Sequence, residues 1–99
     1  WTEAGDPPAM HELKQMPTAA PGFPKRSELV TGYGAISRRD VSDMLYYRVL
    51  GMLRLAGIFL QLNRRWREGG TTDRRFAGFG TLADGLIEFG WDIARGRAF

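Results

Sequence analysis

Asp84, Glu88 and Asp92 recur every four residues, so on a helix their carboxylates stack along one face. Such a stripe can hold a hard cation or attract an amine; a solvated face, partly neutralised by Arg95, is the other reading. Arg48 and Arg54 interrupt an apolar run, where a guanidinium is tolerated only if its head reaches water or a carboxylate. They can serve as structural ion pairs or as an anion site. Tyr46 and Tyr47 carry phenols that want partners and read as core residues with satisfied hydroxyls. Arg64, Arg65 and Arg67 flank Trp66, and Arg74-Arg75 follow, a basic cluster with an aromatic platform that also sits where cations favour a helix C-terminus.

Other chemistries are closed off. The chain has no cysteine, so it has no disulfide framework, thiolate zinc site or cysteine nucleophile. Its single histidine, His11, leaves no histidine cluster for a catalytic metal and reads as a surface residue of a short helix. No phosphate-cradling glycine loop, Gly-x-Ser-x-Gly elbow or dinucleotide fingerprint occurs, and Gly78-x-Gly80 is too little to hold a phosphate.

The 99 residues are 43% hydrophobic and 25% charged, the balance of a folded soluble protein. Net charge is +3, with −2 in residues 1–24 and +5 in the remainder. Twelve arginines against two lysines fit either an anionic partner or the codon bias of a GC-rich genome. The chain opens on Trp1, its first methionine is Met10, and no basic, apolar and small-residue leader precedes them. The expectation is a piece of a larger cytoplasmic protein.

The elements that must position these groups are helical. Asp6 as N-cap with Pro7 at the first helical position predicts a short helix, carrying Ala9, Met10 and Leu13 on its apolar side. Pro17, Pro21, Gly22 and Pro24 then forbid regular structure up to residue 24, with Phe23 as an anchor. Residues 25–99 form the helical core. A helix over Ser27–Arg38 is predicted from Ser27 as cap and from Leu29, Val30, Tyr33 and Ile36. The central helix spans Asp43–Glu68, stopped by Gly69-Gly70; its apolar residues surround the axis, as in a helix packed on several sides. Arg48 and Arg54 argue against a membrane span, at about 2.5–3.5 kcal/mol each near the bilayer centre. A last helix over Thr81–Arg95 opens on a Thr81-x-x-Asp84 capping box and buries Leu82, Leu86, Phe89 and Ile93. Phe76 and Phe79 lie in the preceding link as plugs over the helix ends. With no strand alternation or repeat, the class is all-α, three to four helices around a long central helix.

Five spaced segments occur in an order that resembles one family. They are Gly5-Asp6-Pro7-Pro8, Pro21-Gly22-Phe23-Pro24, Arg26-Ser27-Glu28-Leu29-Val30, the stretch from Tyr46 to Ala56, and Arg75-Phe76-Ala77-Gly78-Phe79-Gly80. The succession is similar to the C-terminal helical region of aminoglycoside-phosphotransferase-like enzymes, in the branch related to the kinase-like domains of acyl-CoA dehydrogenase fusion proteins. The resemblance spans nearly the whole chain, though none of its segments is a catalytic signature.

That resemblance implies a helical subdomain of a kinase-like C-lobe, beginning just after the second acidic motif. No catalytic-loop aspartate motif, glycine-rich nucleotide loop or strand lysine is present. The chain alone is expected to be inactive and to carry no cofactor, with ATP and Mg²⁺ bound by the parent protein. Its implied partners are the N-terminal kinase-like portion of the same protein and a small-molecule hydroxyl acceptor, with no membrane and with nucleic acid disfavoured. The resemblance raises Tyr47, Arg48 and the acidic stripe as acceptor-lining candidates, and Arg48 suits an anionic or polar acceptor better than an aminoglycoside. Apolar surfaces that face the rest of such an enzyme would make the isolated piece self-associate. The alternative is a small basic helical module binding nucleic acid or protein through the Arg64–Arg75 cluster.

Overall fold

The apolar stripes of the two longest helices meet and set the architecture. The computed structural model describes residues 1–13 and 16–99, all helix, turn or irregular chain with no strand among them. Helix α1 spans Pro8–Glu12, α2 Arg26–Ser37, α3 Met44–Arg67 and α4 Phe79–Ala94, and a 3₁₀ turn over Arg74–Gly78 leads into α4. Along α4, Leu82, Ala83, Leu86, Phe89 and Ile93 recur at spacings of three and four and are buried, Leu86 and Ile93 completely. Val49, Met52, Ala56 and Phe59 recur in the same way on α3 and pack against them. The contacts run antiparallel: a Cβ on Gly90 would meet Met52 Cβ at 3.2 Å, and one on Gly80 would meet Asn63 Oδ1 at 3.0 Å. Helix α1 crosses α4 so closely that a Cβ on Gly85 would lie 2.8 Å from Ala9 Cβ.

Both long helices end in the same device. The N–H of Gly70 donates to Arg65 O at 2.9 Å and that of Gly69 to Trp66 O at 3.1 Å, with Gly69 at a φ of 76°. At the end of α4, Arg97 N–H donates to Asp92 O at 2.8 Å and Gly96 N–H to Ile93 O at 3.0 Å, with Gly96 at 75°. These are Schellman motifs, which satisfy the orphan carbonyls of a last turn through a glycine in the left-handed region. The predicted stop at Gly69-Gly70 is therefore correct in position and cause.

Other boundaries move. Pro7, not Asp6, caps α1, and Pro8 takes the first helical position; the Asp6 carboxylate is engaged elsewhere. Helix α2 begins at Arg26, one residue early, because Glu28 Oε2 reaches back to accept the Lys25 N–H at 3.3 Å. Helix α4 begins at Phe79, so Thr81 lies inside it and no capping box forms there. The 3₁₀ turn supplies the start instead, held on α3 by Asn63 Nδ2 donating to Phe76 O at 3.0 Å and Ala77 O at 3.2 Å. Phe79 stacks on Phe76 at 5.1 Å and meets Phe59 edge-on at 4.7 Å, the plug foreseen for this link.

The expectation of a central helix packed on several sides is not met within this chain. Only one stripe of α3 is covered, and Leu45, Leu50, Leu53, Ile58 and Leu60 face outward. Tyr46 and Tyr47, expected in the core, are 62% and 58% exposed and meet each other edge-on at 5.3 Å. Helix α2 has no extended packing against another helix, and Ile36 is 89% exposed. The radius of gyration, 15.4 Å, accordingly exceeds the roughly 13 Å of a compact chain this long. By length and composition α3 could cross a membrane, with 11% of its apolar window buried; Arg48 and Arg54 both lie in the helix.

Candidate functional site

The buried charges gather where the N-terminal segment, α2, α3 and the C-terminal residues meet. A turn in which Glu3 N–H donates to Asp6 Oδ2 at 2.8 Å aims the Asp6 carboxylate inward, and the first residue of α2 aims Arg26 to meet it. Arg26 Nη1 and Nη2 donate to Asp6 Oδ2 and Oδ1 at 2.7 and 2.6 Å, a two-pronged pair whose side chains are 8% and 4% exposed. The guanidinium also donates from Nη1 to Trp1 O at 3.0 Å and from Nε to Phe99 O at 3.2 Å. The Arg26 backbone N–H donates to Glu3 Oε1. Every polar edge of Arg26 is thus engaged. Burial pushes the Asp6 carboxyl up, but the Arg26 hydrogen bonds, the Glu3 N–H and the charges of Arg26 and Arg48 outweigh it and hold it below the ordinary aspartate range.

Arg48, on the second turn of α3, lies beside this pair. Its Nε donates to Phe99 O at 2.7 Å, and its guanidinium carbon sits 5.7 and 5.9 Å from the ring centres of Phe89 and Phe99. Among the described residues no Asp or Glu carboxylate lies within ion-pair distance of Arg48, and its Nη2 is buried with no hydrogen-bond partner. Burial, then the Arg26 charge, pulls Arg48 below the ordinary arginine value. A guanidinium still stays protonated at neutral pH. Arg48 is therefore held by the main-chain oxygen of Phe99 and by two aromatic rings, not by an Asp or Glu side chain.

Arg48 opens onto a cleft of about 360 Å³, within the range of small-molecule sites. Trp1, Thr2 and Met10 wall one side, and Met52, Leu55 and Phe59 of α3 the other. The side-chain polar groups of Thr2, Thr18 and Trp1 in its lining are already partnered. Thr18 Oγ1 donates to Thr2 O at 2.7 Å and accepts the Thr2 N–H at 3.0 Å, while Thr2 Oγ1 donates to Met10 O at 3.4 Å. Trp1 Nε1 donates to Pro24 O at 3.2 Å, and the Trp1 ring meets Phe23 edge-on at 6.1 Å, which gives Phe23 its anchoring role.

Of the two acceptor-lining candidates, Arg48 lines this cleft; Tyr47, one residue earlier on the helix, is turned away to the exposed face. Arg54 is exposed to water. Asp84 and Glu88 are exposed and Asp92 is half-buried, and no group of three metal-capable side chains forms among the described residues. In the basic cluster, Arg64 pairs with Glu68 at 2.9 Å and Arg75 with Asp73 at 2.6 Å, both on the surface. The Arg26–Asp6 pair departs from the sequence reading, in which Asp6 starts a helix and Arg26 has no role. The available signal was an aspartate before two prolines in one polar segment and an arginine at the opening of another, which does not by itself place them together. Compared with family models, with curated proteins and with solved structures, the chain matches none.

Proposed function

We propose that the chain is the C-terminal helical part of an ATP-dependent small-molecule phosphotransferase, forming a wall of the cleft for a hydroxyl acceptor and contributing stability without catalysis. The observation that carries this reading is the cleft lined by Trp1, Thr2 and Arg48. A guanidinium with no Asp or Glu partner in the lining of a cleft suits a surface that positions a polar substrate. The outward apolar residues of α2 and α3 support a larger protein in which the N-terminal kinase-like portion covers them.

The parent protein would bind ATP and Mg²⁺ through upstream residues, because positioning the phosphates and metal does most of the work of phosphoryl transfer. The test is to read the residues encoded ahead of Trp1 and to assay ATP consumption with and without them against hydroxyl compounds. Catalytic-loop and metal-binding aspartates upstream, turnover when they are present and none from the 99 residues alone are the expected results. Saturable turnover by the 99 residues alone, or an upstream sequence without those aspartates, overturns the proposal.

A further inference from the structure

Helix α3 carries a second apolar line beside the one it buries, and this second line is open to water. Tyr46, Leu50, Leu53, Gly57 and Leu60 follow one another at alternating steps of four and three, and the last four each stand one position along from the packed Val49, Met52, Ala56 and Phe59. Such steps average about 3.5 residues, the spacing that keeps one seam of a helix facing a partner helix. Tyr46 and the three leucines are exposed. Over Gly57 the space is empty, since a Cβ built there would touch nothing within 4 Å. The outer surface of α3 is therefore a ridge of leucines with a notch in it.

That ridge is complementary to itself about Leu55. Leu53 and Gly57 stand two residues either side of Leu55, Leu50 and Leu60 five, Tyr46 and Arg64 nine, and Asp43 and Arg67 twelve. Laid antiparallel on a second copy, with the two-fold axis opposite Leu55, each Leu53 enters the notch over the other copy's Gly57 and each Leu50 meets a Leu60. At the ends, the face of Arg64, whose edge already holds Glu68 at 2.9 Å, covers a Tyr46 ring, and Asp43 meets Arg67. Asp43 and Arg67 lie roughly 36 Å apart along the helix at 1.5 Å per residue, so only a partner can bring opposite charges to each of them. Both are exposed, and neither belongs to an ion pair among the described residues. A parallel pairing would instead set Asp43 on Asp43, Arg67 on Arg67 and one notch on the other. Arg54, near the axis, is exposed and carries its guanidinium out to water on a long stem.

We propose that the chain binds a second copy of itself through this face, α3 antiparallel to α3, with Leu53 seated over Gly57 and an Asp43–Arg67 ion pair at each end. The outward residues of α2 and Ile58 of α3 take no part in the seam, so a larger protein can still cover them. The inference is independent of the phosphotransferase reading, because pairing requires neither ATP nor an acceptor.

The experiment is sedimentation velocity on the whole chain, on Asp43→Arg, on Arg67→Asp and on an equimolar mixture of the two variants. The unsubstituted chain should show a monomer–dimer equilibrium. Each variant alone should dimerise about tenfold or more weakly, because both ends of its dimer then bring like charges together. The mixture should return to near the unsubstituted affinity, since each variant offers the charge that the other lacks, and so should the double variant Asp43→Arg with Arg67→Asp. Asp43 makes no side-chain capping hydrogen bond to α3, so its replacement leaves the helix start intact. If a charge variant nevertheless loses its helical circular dichroism, Leu50→Glu against Ile58→Glu decides: the first, on the seam, should weaken pairing about tenfold or more, and the second, off it, should leave pairing unchanged. A monomer at every concentration, single charge variants that pair as well as the unsubstituted chain, a mixture no tighter than its components, or equal effects at Leu50 and Ile58 overturns the proposal and leaves this face of α3 to the upstream part of a larger protein.

Discussion

Arg26 and Arg48 donate to one acceptor, the main-chain oxygen of Phe99, at 3.2 and 2.7 Å. Two like charges share that oxygen because its two lone pairs can each take an N–H and because Asp6 neutralises one of them. Phe89 lies against both guanidinium groups, 5.8 Å from Arg26 and 5.7 Å from Arg48. The two arginines nevertheless differ in kind, since Arg26 is paired with the Asp6 side chain and Arg48 with no Asp or Glu side chain.

That difference predicts unequal responses to one substitution. Arg26→Met strands the buried Asp6 carboxylate and should cost about 3–5 kcal/mol in urea unfolding. Arg48→Met loses the bond to Phe99 O and strands no Asp or Glu side chain, so it should cost less, about 1–2 kcal/mol. Equal losses at the two positions would mean that Arg48 is as structural as Arg26.

Acid should unfold the chain through Asp6. Its folded pKa lies below the ordinary value of 3.8, so its contribution is complete above that value and is lost as pH falls through the depressed folded value. Thermal unfolding followed by circular dichroism should show a fall in Tm beginning near pH 4, an approximate onset taken from ordinary aspartate titration. Asp6→Asn should be less stable at pH 7 and should flatten that acid limb. A limb of unchanged steepness would place the titration elsewhere.

Two glycines of the helices should respond in opposite directions to alanine. Gly85→Ala puts a Cβ 2.8 Å from Ala9 Cβ, so α1 must shift off α4, at about 1–3 kcal/mol. Gly57, inside α3, faces open space, and Gly57→Ala should stabilise by about 0.5–1 kcal/mol through helix propensity. Urea midpoints of the two variants check both signs.

The outward apolar residues should make the isolated chain self-associate. Sedimentation velocity across a concentration series is expected to show species larger than a monomer. Combining Ile36→Glu with Leu53→Glu, both on the exposed face, should shift the distribution toward monomer without loss of helical signal. A monomer at all concentrations would remove the need for a covering partner.

The basic cluster offers a discriminating negative. With Arg64 and Arg75 paired to Glu68 and Asp73, binding to duplex or single-stranded DNA should be weak and nonsaturating near physiological salt. Saturable binding with a steep fall of log affinity against log salt would instead establish the nucleic-acid module.

Long, strongly periodic segments were readable because local forces determine them. The core face of α4 was identified residue by residue, since an apolar stripe has one way to be buried, and α3 was found with its glycine stop because a Schellman motif is written in local residues. The N-terminal caps were less legible. Asp6 and Thr81 are sound cap residues by type, but Asp6 is drawn off by Arg26, 20 positions along the chain, and Thr81 is overtaken by a 3₁₀ turn pinned to Asn63.

The sequence by itself determined the all-helical class, the extent of the long helices and the presence of arginines in an apolar setting, because propensity, periodicity and end signals act within a few residues. Only the tertiary structure decided which arginine pairs with Asp6, that Arg48 and not Tyr47 lines a cleft, and that α3 is covered on one stripe alone. Those outcomes depend on which distant segments come within hydrogen-bond reach: Trp1, Asp6, Arg26, Arg48 and Phe99 span the whole chain, and no local pattern encodes their meeting.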